Sequence, residues 1–227
     1  MSHQPPTPET NDSLMPDHLI VIRSAATDYE RQGRVRGSLD LPPCSEGLAE
    51  VNAVVDRLAT EPPDAIYTAP TACSIQSGRI IGNRCGIMPK SVELLANLDL
   101  GLWQGKLVSE IRQFQPRLYR QWQDDPWSVA PPEGELLEDA VSRIDAALEK
   151  LFKRHPVGRI AVVVPAPLDA IVRWLVAAAP LGDLWQSNPT EHSLAILPVA
   201  AQWLGGERLP PAAATAPVSH QAPAAAG

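Results

Sequence analysis

Apolar residues along this chain follow two alternating rhythms. Apolar runs at 18–23, 65–68, 91–95 and 159–164 have the pattern of short strands buried on both faces. Between them the period lengthens to that of a helix. In 45–59, Leu48, Val51, Val54, Val55 and Leu58 share one stripe, with Ser45 as the expected N-cap. Segment 72–85 offers Ile75, Ile80 and Ile81, and 136–152 carries Leu137, Val141, Ile144, Leu148 and Leu151 before a stop at Gly158. A further apolar helix is expected over 168–179. The late runs 192–197 and 199–204, divided by Pro198, predict an edge pair. Strands alternating with helices predict an α/β fold, a three-layer α/β/α sandwich around a mostly parallel central sheet. In such sheets ligands lie at the carboxyl ends of the strands.

The middle of the chain, about 97–134, breaks this rhythm. It holds Trp103, Trp122 and Trp127 among prolines at 116, 126, 131 and 132, and reads as a loop-rich lid whose aromatic residues serve packing. Residues 1–17, with Pro5, Pro6, Pro8 and Pro16 among polar neighbours, read as a disordered arm. The Pro/Ala-rich stretch 210–227 reads as a disordered tail, which leaves one domain over 18–209. With 227 residues, 44% hydrophobic, 20% charged and a net charge of -7, the chain suits a globular protein and disfavours nucleic acid or an anionic membrane as partner. The start lacks a signal-peptide pattern and no apolar run approaches the ~20 residues of a membrane span, so a cytoplasmic location is expected. Cys44, Cys73 and Cys85 are odd in number and lack metal-ligand spacing, so reduced thiols are expected, with no metal and no cofactor.

Residues able to carry chemistry gather where the apolar runs end. Leu19 to Ile22 leads into Arg23-Ser24-Ala25-Ala26-Thr27. Then come Gly33-Arg34-Val35-Arg36-Gly37-Ser38-Leu39-Asp40-Leu41-Pro42 and Gly47. The second run leads into Tyr67-Thr68-Ala69-Pro70-Thr71-Ala72-Cys73-Ser74-Ile75-Gln76. Further on stand Asn97-Leu98-Asp99-Leu100-Gly101-Leu102-Trp103-Gln104-Gly105, Pro131-Pro132-Glu133-Gly134-Glu135, and Val164-Pro165-Ala166-Pro167.

In order and spacing, over about 17–208, these segments resemble the motifs of the histidine phosphatase (phosphoglycerate mutase-like) superfamily. That family opens with Arg-His-Gly-Glu-Thr, continues with Gly-Arg-x-Gln-Gly-x-x-Asp-x-Pro, and later has Gly-x-Trp-Glu-Gly and Val-Ser-His-Gly. Its reaction uses a histidine nucleophile, a carboxylic acid that protonates the leaving oxygen, and two arginines with a second histidine around the phosphoryl oxygens. Carried onto this chain, the resemblance implies a degenerate phosphate pocket. Arg23 matches the first clamping arginine and Thr27 is kept. Ser24 stands at the nucleophile, Cys73 at the second arginine, Asn97 at the acid and Ala166 at the second histidine. Glu30 lies where the family often has an asparagine that contacts phosphate, which disfavours an anionic ligand. An amide cannot transfer the proton an alkoxide needs. The resemblance therefore implies the family's fold without its reaction: a catalytically inactive protein, or pseudophosphatase, that binds or scaffolds a small molecule or protein partner.

Two alternatives stay open. One is a weak or altered phosphomonoesterase using Ser24, Cys73 or Asp99, although Asp99 also suits a turn cap. The other is a plain interaction module with a collapsed pocket. No histidine is placed to activate Ser24 or Cys73: His3 and His220 lie in the arms and His18 begins the first strand. His155 and His192 suit solvated or structurally bonded positions. For Arg23, contact with an anion and a salt bridge to Asp40 or Glu135 both remain open.

Overall fold

The computed structural model describes residues 16–58, 61–181, 184 and 194–199. The expected terminal arm up to residue 15, the tail, His192 and the late run beyond Val199 lie outside the described residues. Five strands form one sheet: β1 (His18–Arg23), β2 (Ala65–Thr68), β3 (Lys90–Ser91), β4 (Arg159–Val164) and β5 (Leu194–Pro198). Their spatial order is β3-β2-β4-β1-β5. The pairs β1/β4, β2/β4 and β2/β3 are parallel, and β5 closes the edge antiparallel to β1.

The apolar runs of the central strands have a simple cause. Alternate residues of each central strand point to opposite faces, and both faces are covered. Leu19, Val21, Tyr67, Ile160, Val162 and Val164 join one core with α6 (Leu137–Arg154) and α7 (Leu168–Ala177). Ile20, Ile22, Ile66, Ala161 and Val163 join the other with α2 (Ser45–Leu58) and α3 (Ala72–Cys85). Each such branched side chain contributes about 1.5–3 kcal/mol by leaving water. The helix stripes fall as their period predicts: Val51, Val54, Val55 and Leu58 of α2 and Leu137, Val141, Ile144, Leu148 and Leu151 of α6 are all buried.

Several boundaries differ from the sequence reading. The run 91–95 is a strand only at Lys90–Ser91, and a 3-10 turn over Glu93–Leu95 carries its apolar residues into the core. Ser45 is the first residue of α2 rather than its cap. Its hydroxyl meets Glu46, while the Cys44 carbonyl accepts from Leu48 N and the Cys44 thiol accepts from Gly47 N at 3.4 Å. The middle segment holds more helix than its prolines suggest, since α4 (Val108–Phe114) and α5 (Pro116–Asp124) lie within it, with a short α1 (Asp28–Arg31) upstream. Pro116 opens α5, where a missing N–H costs nothing. The tryptophans pack, as expected: Trp103 and Trp122 are buried edge to face at 5.9 Å, and Trp127 meets Trp174 at 5.2 Å.

Two motif glycines are required by close backbone contact. A Cβ on Gly47 would lie 2.5 Å from both the nitrogen and the oxygen of Ala26, the loop that follows β1. Gly101 has φ +48 and its Cβ would lie 2.2 Å from the Pro132 carbonyl oxygen. Gly101→Ala is expected to lose about 2–4 kcal/mol through backbone strain plus overpacking, and Gly47→Ala about 1–3 kcal/mol through overpacking alone. Urea unfolding midpoints check both values, and an unshifted midpoint for Gly101→Ala would contradict this packing.

Candidate functional site

Alternation along β1 sends its last residues to opposite sides of the sheet. Arg23 continues the face of Leu19 and Val21 toward α7, and there its guanidinium binds Asp169 through Nε at 2.9 Å and through a terminal nitrogen at 2.8 Å. Arg173, one turn further along α7, reaches the same oxygen at 3.1 Å. Of the two readings left open for Arg23, a salt bridge is formed, with Asp169 rather than Asp40 or Glu135 as the carboxylate. Asp40 caps α3 by accepting the Ala72 N–H at 2.6 Å, and Glu135 is held elsewhere. Burial lowers the Arg173 pKa from its ordinary value, against the pull of Asp169 that raises it, and Arg23 adds to the lowering.

Ser24 turns to the α3 side. Its Oγ lies 3.6 Å from the Cys73 Sγ, and Cys73 is fully buried at the second position of α3. The same sulfur accepts from the Arg36 guanidinium at 2.7 Å, and that terminal nitrogen also reaches Thr71 Oγ1 at 3.2 Å. Thr71 donates to Ser74 Oγ at 3.0 Å, and Ser77 links the cluster to the loop after β1 by accepting the Ala25 N–H at 2.9 Å. Arg36 was not among the residues singled out for chemistry. Its signal was present, because it stands where the family segment has glutamine.

The remaining positions converge on the same strand ends. The Asn97 side-chain amide donates to the Gly37 carbonyl at 2.8 Å and to the Ala166 carbonyl at 3.1 Å. The Ala166–Pro167 peptide is cis. Thr27 is buried and its N–H donates to Glu30 Oε2 at 2.7 Å; that carboxylate oxygen lies 3.9 Å from Arg36. Thr27 Oγ1, Asn97 Oδ1 and one terminal nitrogen of Arg36 are buried without a hydrogen-bond partner. Ser24, Thr27, Cys73, Asn97 and Ala166 are thus brought to one end of the sheet, while the Arg23 guanidinium is engaged on the α7 face.

Asp99 is not part of this cluster. It is exposed, and its carboxylate caps a turn by accepting Gly101 N–H at 2.9 Å. A second arginine passed over in the sequence, Arg143 of α6, organises this region. It donates to the carbonyls of Leu94, Ala96 and Asn97 at 3.0, 2.6 and 3.0 Å and to both Glu135 oxygens at 2.7 and 3.2 Å. The motif glutamate Glu135 therefore holds the loop, also accepting Asp99 N–H at 2.9 Å. The two histidines among the described residues lie away from these strand ends. His18 opens β1, and His155 follows α6, where its Nε2 and Tyr67 Oη share a hydrogen bond of 2.7 Å whose direction follows the ring's tautomer. Burial, then Arg154 and Lys90, lower its pKa from the ordinary 6.5.

A parallel sheet with β4 between β1 and β2, and polar side chains collected at the carboxyl ends of those three strands, defines an α/β protein of the phosphoglycerate mutase-like type. A model of the histidine phosphatase superfamily (branch 1) matches residues 19–202, and the chain belongs to that superfamily. Phosphoserine phosphatase 1 of Hydrogenobacter thermophilus is 28% identical over 137 residues, covering 60% of this chain and 65% of the relative. Glucosyl-3-phosphoglycerate phosphatase of Mycobacterium tuberculosis is 26% identical over 138 residues, covering 61% of each. The matched stretch is thus less than two thirds of either relative. Among solved structures, Bacillus stearothermophilus YhfR superposes with a TM-score of 0.66 at 26% identity, covering 75% of this chain and 84% of that one. A mycobacterial glucosyl-3-phosphoglycerate phosphatase in complex with VO3 superposes with a TM-score of 0.67 at 22% identity, covering 74% and 84%, a likeness of fold. No helix among the described residues is long and apolar enough to cross a membrane.

Asp169→Ala is expected to lose about 3–5 kcal/mol of stability, because two guanidiniums only 12% and 11% exposed would lose the buried carboxylate they share; chemical denaturation measures it. His155 gives a separate signature. Since the unfolded imidazole takes its proton first, stability is full above pH 6.5 and falls as the pH drops below that value, until the folded ring also protonates. His155→Gln should flatten melting temperature against pH in that window, and an unchanged profile would rule out His155 as its source.

Proposed function

We propose that this chain is a catalytically inactive member of its superfamily, a pseudophosphatase whose 18–209 domain binds or scaffolds rather than hydrolyses. The observation that carries this reading is the closed Ser24–Cys73–Arg36 cluster. The position matched to the nucleophile holds a hydroxyl and the position matched to the second arginine holds a buried thiol. That thiol is already occupied by a guanidinium from another loop. The position matched to the acid carries an amide spent on two carbonyls, and Ala166 carries no polar side chain. Removing members of a catalytic unit lowers turnover by roughly 10^4 to 10^6. We place the protein in the cytoplasm, with no metal or cofactor required. The phosphatases among its relatives mark the chemistry this site descends from.

The altered-phosphomonoesterase reading has one supporting observation, the 3.6 Å contact between two nucleophile-type atoms, Ser24 Oγ and Cys73 Sγ, with a cation on the sulfur. A single assay separates the readings. On an aryl phosphate such as p-nitrophenyl phosphate, the purified full chain is expected to give only background release. A variant carrying Ser24→His, Arg36→Gln, Cys73→Arg, Asn97→Glu and Ala166→His is expected to gain turnover. Arg36→Gln belongs in that set because its guanidinium fills the space an arginine at 73 would enter. Hydrolysis by the unmodified chain that disappears in Ser24→Ala or Cys73→Ala would overturn inactivity.

A further inference from the structure

Two exposed patches of opposite charge lie outside the strand-end cluster, and each carries an uncovered apolar side chain. The first runs through α4 and α5. In a chain of net charge -7, residues 106–120 hold four cations, Lys106, Arg112, Arg117 and Arg120, against one carboxylate, Glu110. All four cations are exposed, and none forms an ion pair among the described residues. Arg23, Arg31, Arg36, Arg143, Arg159 and Arg173, by contrast, each have a carboxylate partner. Phe114 ends α4 with 75% of its surface exposed, beside a cleft of about 310 Å³ lined also by Lys106, Glu110, Ile111 and Gln115. An aromatic ring left in water at the rim of a cleft marks a contact surface. On α5, Tyr119 and Trp122 are buried, so Arg117 and Arg120, three residues apart, share the outward side.

The second patch is the entry to α6. Residues 133–139 hold four carboxylates and no cation. Glu135 is engaged by Arg143, but Glu133, Glu138 and Asp139 are exposed and form no ion pair among the described residues. Leu136 stands among them, 42% exposed. The dipole of α6 favours acids at its start, yet it gives no reason for an uncovered leucine between them. The two patches are neighbours: Leu102, four residues before Lys106 and itself 48% exposed, donates its N–H at 2.9 Å to the carbonyl of Pro132, the residue before Glu133.

Adjacent patches of opposite sign have one arrangement that satisfies both at once. A two-fold axis between them sets the basic patch of each copy on the acidic patch of the other, in two equivalent contacts. We propose that this chain self-associates as a symmetric dimer, in which α4 and α5 of each copy receive the acidic entry to α6 of the other, with the partner's Leu136 against Phe114 at the cleft. A small ligand is a poorer match, because the cations are spread along two helices about 10 and 14 Å long. Nucleic acid and anionic membranes meet the overall charge of -7, whereas a second copy carries the acids this face lacks. The contact uses no residue of the strand-end cluster, so it stands independently of whether that cluster hydrolyses anything.

The test is sedimentation velocity of the full chain over the micromolar range. A concentration-dependent dimer is expected at about 0.1 M salt and should dissociate toward about 1 M, as the screening length falls from roughly 10 to 3 Å. Arg117→Glu with Arg120→Glu should weaken the dimer about tenfold or more, as should Glu138→Lys with Asp139→Lys. Each reversed variant is expected to be monomeric alone. An equimolar mixture of the two should recover a dimer with one of each, because every contact again joins opposite charges. Phe114→Ser should weaken the dimer without changing any charge. A chain that is monomeric throughout would overturn the proposal and leave the basic face to an acidic partner protein. A dimer indifferent to both reversals would overturn it too, as would a mixture that stays monomeric. If Glu138→Lys with Asp139→Lys fails to fold, an unchanged dimer in Arg117→Glu with Arg120→Glu overturns it alone.

Discussion

The guanidinium of Arg143 is the fastener on which the strand-end loops depend. A loop that runs under a helix buries carbonyls that no ladder satisfies, and each must find a donor or destabilise the fold. Arg143 supplies donors to the carbonyls of residues 94, 96 and 97 from one rigid planar group, and Glu135 balances its charge. Once Asn97 is fixed in this way, its amide ties the 33–37 loop to the loop after β4. Three segments far apart in sequence therefore share one geometry, set from α6.

Arginines are engaged on both faces of the sheet near these strand ends. Arg23, the arginine kept at the end of β1, is engaged by Asp169 on the α7 face, in a triad where two guanidiniums share one carboxylate oxygen. A different arginine, Arg36, is buried on the α3 face. Among the described residues the polar groups gathered at these strand ends are guanidinium, amide, hydroxyl, thiol and the Glu30 carboxylate, and neither described histidine lies there.

Much of this architecture is legible in the sequence, because buried parallel strands and amphipathic helices impose their periods directly on it. The limits are equally physical. The run 91–95 is apolar because its turn seats Leu95 in the core with Val92 and Leu94 packed against it, not because it is extended, and apolar runs alone do not distinguish the two. Ser45 is a good capping residue one position too late, where Cys44 fills the role. The partner of Arg23 lies 146 residues away on α7, and those of Arg143 lie 46 to 49 residues away among backbone carbonyls. Side-chain pairing over such separations is set by the three-dimensional fold. Arg36 was the readable exception, a charged residue standing at a family glutamine.

The order of strands also governs how the chain assembles in time. β4 sits between β1 and β2, yet it is made after both, so the two early strands have no partner in each other while the first 158 residues emerge. β1, a fully apolar ribbon at Leu19–Ile22, waits for one neighbour until residue 164 and for its other neighbour until β5. Long-range parallel pairing of this kind folds slowly and leaves sticky edges exposed in the interim. A nascent chain stalled before β4 would hold its hydrophobic strands uncovered, which makes its release from the ribosome the moment of greatest risk of aggregation.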